Sequence, residues 1–392
     1  MKIVFFSGGA PWGSAPGGIA SYVNHRARLF AKYAKDIEVW CIAQNVYARY
    51  SQDTLQWEQP QPFPAFPIGD RWLCKFFFRR NPVWRVAEEI LKVDILEYPN
   101  GMGALVPADR HAKLIIHHHT SFPLRTWLNG DKRNRLRLWI RNWLWSHAQK
   151  HCDAILACSF EIGLLSCGFH RIPLDKVCFL WHYFSPSPEC GPLSTPLPKP
   201  EKPYFLMIGN LEYLKGFDLL VKAFIAYRKQ GGECRLKIAG NTGWASEDYR
   251  AHFQNSNLRG MLDRAGLTDD VQFLGTLPKP RLAQYREGAQ AVIIASRFEA
   301  FTMVAGECFL NGTPLMISNR TGWNRLVERF RGAKLFSPDD CDEFAAAMSE
   351  MENEEYKRQL VSGGLQIAEY ISGDELAEQT LKFYRKVYEN GK

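Results

Sequence analysis

The stretch "AVIIASRFEAFTMVAGECFLNGTPLMIS", residues 291–318, has the pattern of a strand, a loop, a helix and a second strand. The apolar run "AVIIAS" has the length of a buried strand, and the small and apolar residues after it predict a helix from about Thr302 to Leu310. Asn311 and Gly312 are residue types that end helices, and "TPLMIS" is another short apolar run. Two buried strands joined by a helix predict a parallel sheet with helices on its faces.

The same alternation extends along the chain in both directions. The runs that predict strands are "KIVFF", "DIEVWCIA", "VDILEYP", "AKLIIHHH" and "CDAILACS" in the first half, and "YFLMIG", "CRLKIAG" and "VQFLG" in the second. Between the halves, residues 185–203 contain seven prolines, so this stretch is predicted to be a linker. The sequence therefore predicts an α/β protein with two doubly wound, Rossmann-like domains that face each other across a cleft. In such sheets, ligands bind outside the carboxyl ends of the strands.

The composition is that of a globular protein too long for one ordinary core: 392 residues, of which 46% are hydrophobic and 23% charged. The 10 cysteines form no C-x-x-C pair and no cluster with zinc-site spacing, which predicts reduced thiols in a cytoplasmic protein. No run of 18 apolar residues is present. The first apolar run breaks into glycines at once, which favours a strand over a signal peptide.

Positive charge is concentrated in the first half. Residues 1–200 contain 24 Lys and Arg against 15 Asp and Glu, whereas the rest of the chain is close to neutral. Two stretches combine basic and aromatic residues: residues 71–80, and residues 125–151 with seven Lys or Arg, four Trp and one Asp. Such a helix either lies on an anionic membrane or covers the sheet with its arginines in solvent, and the pattern leaves both open. No nucleic-acid-binding module is recognisable, so nucleic acid is not an expected partner.

Glycines and a lysine precede the first helix of each half. Gly17 and Gly18 open the first predicted helix, and Lys215 and Gly216 precede the corresponding helix after a strand that ends at Gly209. Glycines at such a turn let a phosphate approach the N–H groups of a helix N-terminus, and a lysine there reaches a diphosphate as a point charge. The spacing differs from the dinucleotide pattern G-x-G-x-x-G, so an ordinary turn and a surface lysine are the alternatives.

Two carboxylates bracket the start of the helix in the opening stretch. Glu299 lies just past a strand and Glu307 lies among apolar residues inside the helix, so both are predicted to face one cleft at two depths. The N–H groups of Phe301, Thr302 and Met303 are predicted to be free at the helix N-terminus, where they suit anionic or hydroxyl oxygens. One of the two carboxylates would take sugar hydroxyls at the reacting end, and the other a ribose diol further back. The alternative is that an acidic residue near a helix start is placed there by the helix dipole, which explains Glu299 but not Glu307.

Three consecutive histidines, His117 to His119, end a predicted strand. Because neighbouring strand residues point to opposite faces, the three cannot all bind one metal ion easily. One histidine that points into the cleft is the preferred interpretation, and a purely structural role is the alternative.

Taken together, these stretches resemble glycosyltransferase family 4, whose members are retaining enzymes with the GT-B fold. The resemblance rests on "PGGIASYV", "DILEYPNGMGA" and "IIHHHT", and on "GNLEYLKGFDLLVKAF" and "VQFLGTLPKPRLAQYREGAQAVIIASRFEAFTMVAGECFLNGTPLMIS". It implies an acceptor-binding domain over residues 1–184, a linker over 185–203, and a nucleotide-sugar-binding domain over 204–368. It also implies a C-terminal helix, residues 369–392, that packs back on the N-terminal domain.

The resemblance implies three catalytic residues. Glu299 would contact the hydroxyls of the donor sugar, Lys215 would neutralise the diphosphate leaving group, and His119 would lie near the anomeric carbon. Further donor contacts are implied for Gly17, Gly18, Gly209, Asn210, Gly275, Leu277, Phe301, Thr302, Met303, Val304 and Glu307, the last at the ribose. Neither a metal ion nor a separate cofactor is implied, because the lysine and the helix N-termini take over the charge role of a metal.

The implied activity moves a sugar from a nucleotide sugar, expected to be a UDP- or GDP-sugar, to a glycan or lipid-linked acceptor during synthesis of a surface polysaccharide or glycoconjugate. The reduced thiols predict a cytoplasmic protein, and the two basic stretches support the hypothesis that it contacts the inner face of the membrane. An epimerase of nucleotide sugars and a non-catalytic nucleotide-sugar-binding protein are the alternatives. The chain departs from the family pattern at Asn210, where Arg is frequent, and at Ala300 and Thr302, where glycines are usual.

Overall fold

A computed structural model of the chain describes residues 1–13, 17–64, 82–99, 106, 110–128, 135–186, 197, 200–240 and 258–390. The chain forms two compact units, one of Met1–Ser185 with Ile371–Lys392 and the other of Pro186–Tyr370. The basic stretch 71–80 and most of the predicted linker lie outside the described residues. Both units are α/β, which confirms the predicted fold class of two Rossmann-like domains.

The sheet of the first unit has a parallel centre and antiparallel strands at one edge. Its order is β4-β3-β2-β1-β6-β7-β8-β9, with β5 paired to β3. The strands are β1 Lys2–Ser7, β2 Glu38–Ala43, β3 Val46–Ser51, β4 Gln56–Trp57, β5 Gln61–Pro62, β6 Ile95–Pro99, β7 Lys113–His118, β8 Ala154–Ala157 and β9 Val177–Phe179. The first helices are α1 Gly18–Tyr33, α2 Pro82–Arg85, α3 Phe122–Leu128, α4 Arg135–His151 and α5 Phe160–His170, with a π-helical turn over Val86–Ile90 after α2.

The antiparallel edge corrects the prediction of a purely parallel sheet in this half. Only Gln44 and Asn45 separate β2 from β3, and Ala43 pairs with Val46 across the turn. So short a connection joins only antiparallel strands, since a parallel pair needs a crossover of about a dozen residues. Gln44 has a left-handed φ of 56°. Because the turn contains no glycine, the sequence did not indicate a hairpin here.

The second unit has a parallel sheet in the order β12-β11-β10-β13-β14-β15. Its strands are β10 Tyr204–Ile208, β11 Arg235–Ala239, β12 Val271–Gly275, β13 Ala291–Ile294, β14 Leu315–Ser318 and β15 Lys334–Phe336. Its helices are α6 Phe217–Lys229, α7 Leu258–Arg264, α8 Lys279–Glu287, α9 Met303–Leu310, α10 Asn324–Phe330, α11 Cys341–Glu350 and α12 Glu354–Ser372. The buried core includes Phe205 and Ile293 from the sheet and Phe217 and Phe224 from α6.

The winding of this sheet changes direction between β10 and β13. Strand β10 pairs with β11 on one side and with β13 on the other, so the loops that leave β10 and β13 diverge. In open α/β sheets, ligands bind in the crevice between such loops. Gly216 allows the two loops to approach, because its φ is 67° and a Cβ there would lie 1.9 Å from the carbonyl oxygen of Ala295.

The last helix, α13 Asp374–Glu389, belongs to the first unit, as predicted. Its Tyr384 packs against Phe30 of α1, with ring centroids 5.1 Å apart. Arg26 of α1 donates a hydrogen bond of 2.9 Å to Thr380 of α13. The end of the chain is thus held by both apolar and polar contacts with the N-terminal domain.

Candidate functional site

Lys215 and Glu299 form an ion pair at the change of winding in the second unit. Lys215 ends a 3₁₀ turn after β10, and Glu299 lies in the loop after β13. Because β10 and β13 are parallel neighbours, their loops leave the same edge of the sheet, and Lys215 Nζ donates to Glu299 Oε2. The side chains are 29% and 19% exposed, so the pair is in contact with solvent. The structure thus brings together two of the three predicted catalytic residues.

The backbone of Glu299 is held by the loop after β14. The Glu299 N–H donates to the carbonyl of Arg320 at 3.1 Å, and the Gly322 N–H donates to the carbonyl of Glu299 at 3.0 Å. Ser296 Oγ lies 3.4 Å from the Glu299 carboxylate. The carboxylate therefore projects from a backbone that is fixed on both sides.

Helix α9 begins at Met303, four residues after Glu299. Thr302 at its N-cap has extended backbone angles and no capping hydrogen bond from its side chain. The first N–H groups of a helix have no partner within it, so this end suits an anionic or hydroxyl oxygen. Thr302 and Met303 are buried, and Val304 is partly exposed. The helix lies where the sequence predicted it, and the donor contacts of these residues stay predictions.

Trp323, which no pattern in the sequence indicated, supports the start of α9. Its indole ring stacks on Phe301, and its Nε1 donates to the carbonyl of Thr302 at 3.0 Å. The side chain is fully buried. A tryptophan between "TG" and a helix was visible in the sequence, but a single sequence does not indicate which ring it meets.

Glu307 forms an ion pair with Arg286, a second residue that no pattern in the sequence indicated. Arg286 Nη1 lies 2.8 Å from Glu307 Oε2, and the two side chains are 7% and 23% exposed. Arg286 lies in the last turn of α8. A nearly buried guanidinium that binds this carboxylate orients it, which is what a predicted ribose ligand needs.

A further ion pair ties the loop after β13 to α6. Arg297 donates to both carboxylate oxygens of Asp218, at 2.7 and 2.6 Å, and the Arg297 N–H donates to the carbonyl of Leu214 at 2.8 Å. Burial alone would raise the pKa of the Asp218 carboxyl, but the Arg297 guanidinium brings it below its ordinary value. The turn that carries Lys215 is therefore bound to the loop that carries Glu299 at several points.

Glycines bring the ends of β10, β11 and β12 together. Gly209 has φ 148°, and its N–H donates to the carbonyl of Ala239 at 2.9 Å. Gly240 donates to the carbonyl of Gly275 at 2.9 Å, and a Cβ on Gly240 would lie 1.9 Å from the Gly209 oxygen. The remaining predicted donor positions beside these glycines, Asn210 and Leu277, are partly exposed.

The three histidines lie in the first unit, with His117 and His118 at the end of β7 and His119 directly after it. His117 Nδ1 lies 2.9 Å from Glu97 Oε1, and His118 Nε2 lies 2.7 Å from the side-chain oxygen of Gln149. The ring of His119 lies 4.3 Å from that of His117. Burial lowers the pKa of His119 well below its ordinary value, so its imidazole is neutral at pH 7.

Glu97 is the centre of a buried hydrogen-bond network next to these histidines. Tyr22 donates to its Oε1 at 2.7 Å, and Tyr384 of α13 donates to its Oε2. Arg26 in turn donates to Tyr22 at 3.0 Å. Burial alone would raise the pKa of Glu97, but its hydrogen bond with His117 and the positive charge of Arg26 bring the pKa below the ordinary value. The only signal in the sequence was a glutamate inside the apolar strand "DILEYP".

Gly17 is the N-cap of α1 and is exposed. A Cβ built on it would meet no heavy atom within 4 Å, so packing does not require glycine there. Gly17, Gly18 and His119 belong to the first unit, and the other predicted site residues belong to the second.

The basic segment contains exposed tryptophans. Trp127 of α3 and Trp139 and Trp143 of α4 are 60%, 66% and 51% exposed, whereas Leu144 and Ala148 of α4 are buried. Helix α4 therefore covers the unit with Leu and Ala and presents two tryptophans to solvent. Among the described residues, no helix is both long and apolar enough to cross a membrane.

Two family models match the chain, one in each half. The model "Glycosyltransferase Family 4" matches residues 16–179, and the model "Glycosyl transferases group 1" matches residues 194–363. Between them they include every site residue predicted above.

The curated relatives include glycosyltransferases and synthases. The chain is 27% identical over 187 residues to D-inositol 3-phosphate glycosyltransferase of Nocardioides sp., covering 46% of this chain and 41% of the relative. It is 29% identical over 143 residues to mannosylfructose-phosphate synthase of Agrobacterium fabrum, covering 36% and 31%. The chain thus matches less than half the length of these relatives.

Solved structures share the fold over almost the whole chain. Sucrose-phosphate synthase from Thermosynechococcus elongatus superposes with a TM-score of 0.73 at 16% identity, covering 99% of both chains. Anabaena HepE in complex with UDP-glucose superposes with a TM-score of 0.65 at 18% identity, covering 97% of this chain and 100% of that one. With two Rossmann-like units of the GT-B fold and a family match in each half, the chain belongs to glycosyltransferase family 4.

Proposed function

We propose that this protein is a retaining glycosyltransferase that moves a sugar from a nucleotide sugar to a hydroxyl of a glycan or lipid-linked acceptor. The observation that carries the proposal is the ion pair of Lys215 with Glu299 at the change of winding, beside the N-terminus of α9. A cation, a carboxylate and the N-terminus of a helix at one place match the diphosphate and the sugar hydroxyls of a nucleotide sugar.

In this proposal, the ion pair of Lys215 with Glu299 opens when the donor binds, and each side chain then contacts the donor instead. A diphosphate competes with Glu299 for the ammonium group, and sugar hydroxyls compete with Lys215 for the carboxylate. When the sugar–phosphate bond breaks, negative charge grows on the leaving diphosphate, and a fixed cation stabilises that charge. Lys215 and the N-terminus of α9 supply positive charge in this scheme without a metal ion or cofactor.

Glu307 takes the ribose of the donor in the same proposal. Its carboxylate is oriented by Arg286, at 2.8 Å, so it meets the two ribose hydroxyls in a fixed position. The resemblance to family 4 supports this role. The HepE complex with UDP-glucose makes a UDP-sugar the first donor to test.

His119 acts at the reacting carbon and the acceptor approaches the face that the diphosphate leaves, which retains the anomeric configuration. The neutral imidazole of His119 suits contact with a sugar hydroxyl. The acceptor belongs to a surface polysaccharide or glycoconjugate, and the enzyme acts in the cytoplasm at the inner face of the membrane. The exposed Trp139 and Trp143 on a basic segment support contact with an anionic membrane.

The test is a panel of UDP-, GDP-, ADP- and dTDP-sugars. A donor at 100 times its dissociation constant adds about 2.7 kcal/mol to the free energy of unfolding, so thermal unfolding identifies it. Nucleotide release is then measured with and without glycan and lipid-linked acceptors, and NMR of the product gives the anomeric configuration. Release that depends on an acceptor supports a transferase. Conversion of the donor alone into its epimer would identify an epimerase, and binding without turnover a non-catalytic protein.

A further inference from the structure

We propose that His117, Cys158 and His182 form a binding site for a divalent metal ion of the zinc class inside the first unit. All three side chains are buried, and their ligand atoms lie within 4.8 Å of one another. Imidazole nitrogen and thiolate sulfur are the ligands that zinc prefers.

The distance between the two imidazoles fits a shared ion. His117 Nε2 lies 3.3 Å from His182 Nε2. Two nitrogens at about 2.0–2.1 Å from one tetrahedral zinc ion lie about 3.3 Å apart. The space between these nitrogens therefore has the span of a coordination site.

Glu97 provides the outer contact that a zinc-binding histidine requires. His117 Nδ1 donates to Glu97 Oε1 at 2.9 Å, which leaves the lone pair of Nε2 directed at His182. A carboxylate in this position fixes the ring and raises the basicity of the ligating nitrogen. The Cys158 thiolate and the Glu97 carboxylate carry two negative charges, against two positive charges on the ion and one on Arg26, which is linked to Glu97 through Tyr22.

Metal binding changes the protonation of the site in a defined way. The Cys158 thiol donates to the carbonyl of His118 at 3.3 Å. On binding, the thiol loses this proton to solvent and sulfur bonds to the ion, and His182 carries its proton on Nδ1 so that Nε2 is a ligand. One proton is therefore released for each ion bound.

The ligands come from three separate segments. His117 lies in β7, Cys158 directly follows β8, and His182 lies in the chain after β9. An ion held by all three therefore fastens these strand ends and stabilises the first unit. His119 lies next to the site, with its ring 5.1 Å from that of His182, and its buried Nε2 has no hydrogen-bond partner among the described residues. The three ligands leave a fourth coordination position for water or for this nitrogen.

The experiment uses the full-length protein, stripped with a chelator and titrated with Zn²⁺ against a competing indicator. We expect one equivalent to bind and the midpoint of thermal unfolding to rise. With Co²⁺ as the probe, a thiolate-to-cobalt absorption band appears. Cys158→Ser removes that band and weakens binding at least tenfold, whereas Cys41→Ser, which changes another buried cysteine, leaves both unchanged. Glu97→Gln weakens binding by about 10- to 100-fold.

Two results would overturn the proposal. One is that no equivalent of Zn²⁺ binds and raises the midpoint of thermal unfolding. The contact of His117 with His182 is then a hydrogen bond between two imidazoles. The other is that His147→Ala no longer binds the ion whereas Cys158→Ser still does. That result would assign the bound ion to His147 and His151 on α4. If Cys158→Ser does not fold, X-ray absorption of the zinc-bound wild type decides, because sulfur in the coordination shell is required. None of these measurements depends on sugar transfer.

Discussion

The indole ring of Trp323 lies nearly parallel to the ring of Phe301, with 4.0 Å between the centroids and 22° between the planes. The same indole donates through Nε1 to the carbonyl of Thr302 at 3.0 Å, at the residue that caps α9. The stack and the hydrogen bond together fix the backbone whose N–H groups are predicted to meet the donor.

Trp323→Phe is expected to keep the stack and lose the hydrogen bond. Removal of one hydrogen bond that leaves a buried carbonyl unpaired costs about 1–3 kcal/mol, so chemical denaturation detects it. The donor KM rises because the start of α9 is less well fixed. Trp139→Phe, at an exposed tryptophan, is the control and leaves both unchanged. Wild-type stability and KM in Trp323→Phe would contradict a positioning role for the indole.

Lys215→Ala is expected to lower kcat by about 10²- to 10³-fold, the loss typical of one removed group that stabilises charge in the transition state. The fold is expected to be retained, because the Lys215 side chain is partly exposed and its removal breaks only one ion pair. Lys222→Ala, at an exposed lysine of α6, is the matched control. Turnover of Lys215→Ala close to that of the control would remove this residue from the catalytic set.

Glu307→Gln is expected to destabilise the protein more than Arg286→Met does. The glutamine variant leaves a guanidinium that is 7% exposed without its charge partner, whereas the methionine variant leaves a carboxylate that is 23% exposed and more easily solvated. An unpaired buried charge costs a few kcal/mol, and the expected difference between the variants is about 1–2 kcal/mol.

Urea denaturation measures the free energy of unfolding of both variants. Asp339→Asn, which breaks the surface pair with Arg320, is the control and is expected to change the free energy of unfolding by less than about 0.5 kcal/mol. Equal losses in Glu307→Gln and Arg286→Met would show that burial does not decide the energetics of this pair.

The elements that carry the candidate site were predictable because they follow local patterns. Apolar runs marked β10 and β13, and the residues after each run marked the loops with Lys215 and Glu299. Since parallel strands end at one edge of a sheet, residues after neighbouring strands meet there. The order of the strands, which makes β10 and β13 neighbours, came only from the structure.

The partners of the site residues were not predictable, because they depend on packing between distant segments. Arg286 reaches Glu307 from 21 residues away, and Tyr384 reaches Glu97 from 287 residues away. A single sequence shows that an arginine or a tyrosine is present but not which buried group it satisfies. The hairpin between β2 and β3 was also missed, since its turn contains no glycine and the left-handed φ of Gln44 is uncommon for a residue of this type.

Buried neutral histidine is expected to make the first unit unstable in mild acid. His170 lies between Ser121 and Ser146, at 3.0 and 3.2 Å, and burial lowers its pKa to about 3. The unfolded histidine binds a proton below about pH 6.5 and the folded one does not, so the free energy of unfolding falls as the pH drops from about 6.5 towards 3. This group alone contributes on the order of 3–5 kcal/mol over that range. His170→Asn flattens this dependence, whereas His111→Asn, at an exposed histidine, does not. Identical pH profiles for wild type and His170→Asn would assign the acid sensitivity elsewhere.

Replacement of both Trp139 and Trp143 by Ala is expected to weaken binding to vesicles that contain phosphatidylglycerol. The two rings are 66% and 51% exposed on a segment with seven basic residues, so they can enter the headgroup region while the basic residues meet anionic lipid. A loss of at least about 1.4 kcal/mol, or tenfold in affinity, is expected in vesicle sedimentation. Leu365→Ala, at an exposed leucine of α12, is the control. Because part of the attraction is electrostatic, wild-type binding also falls with added salt and on neutral vesicles. Equal affinity for neutral and anionic vesicles, or unchanged affinity after loss of both tryptophans, would contradict a role for these rings at a membrane surface.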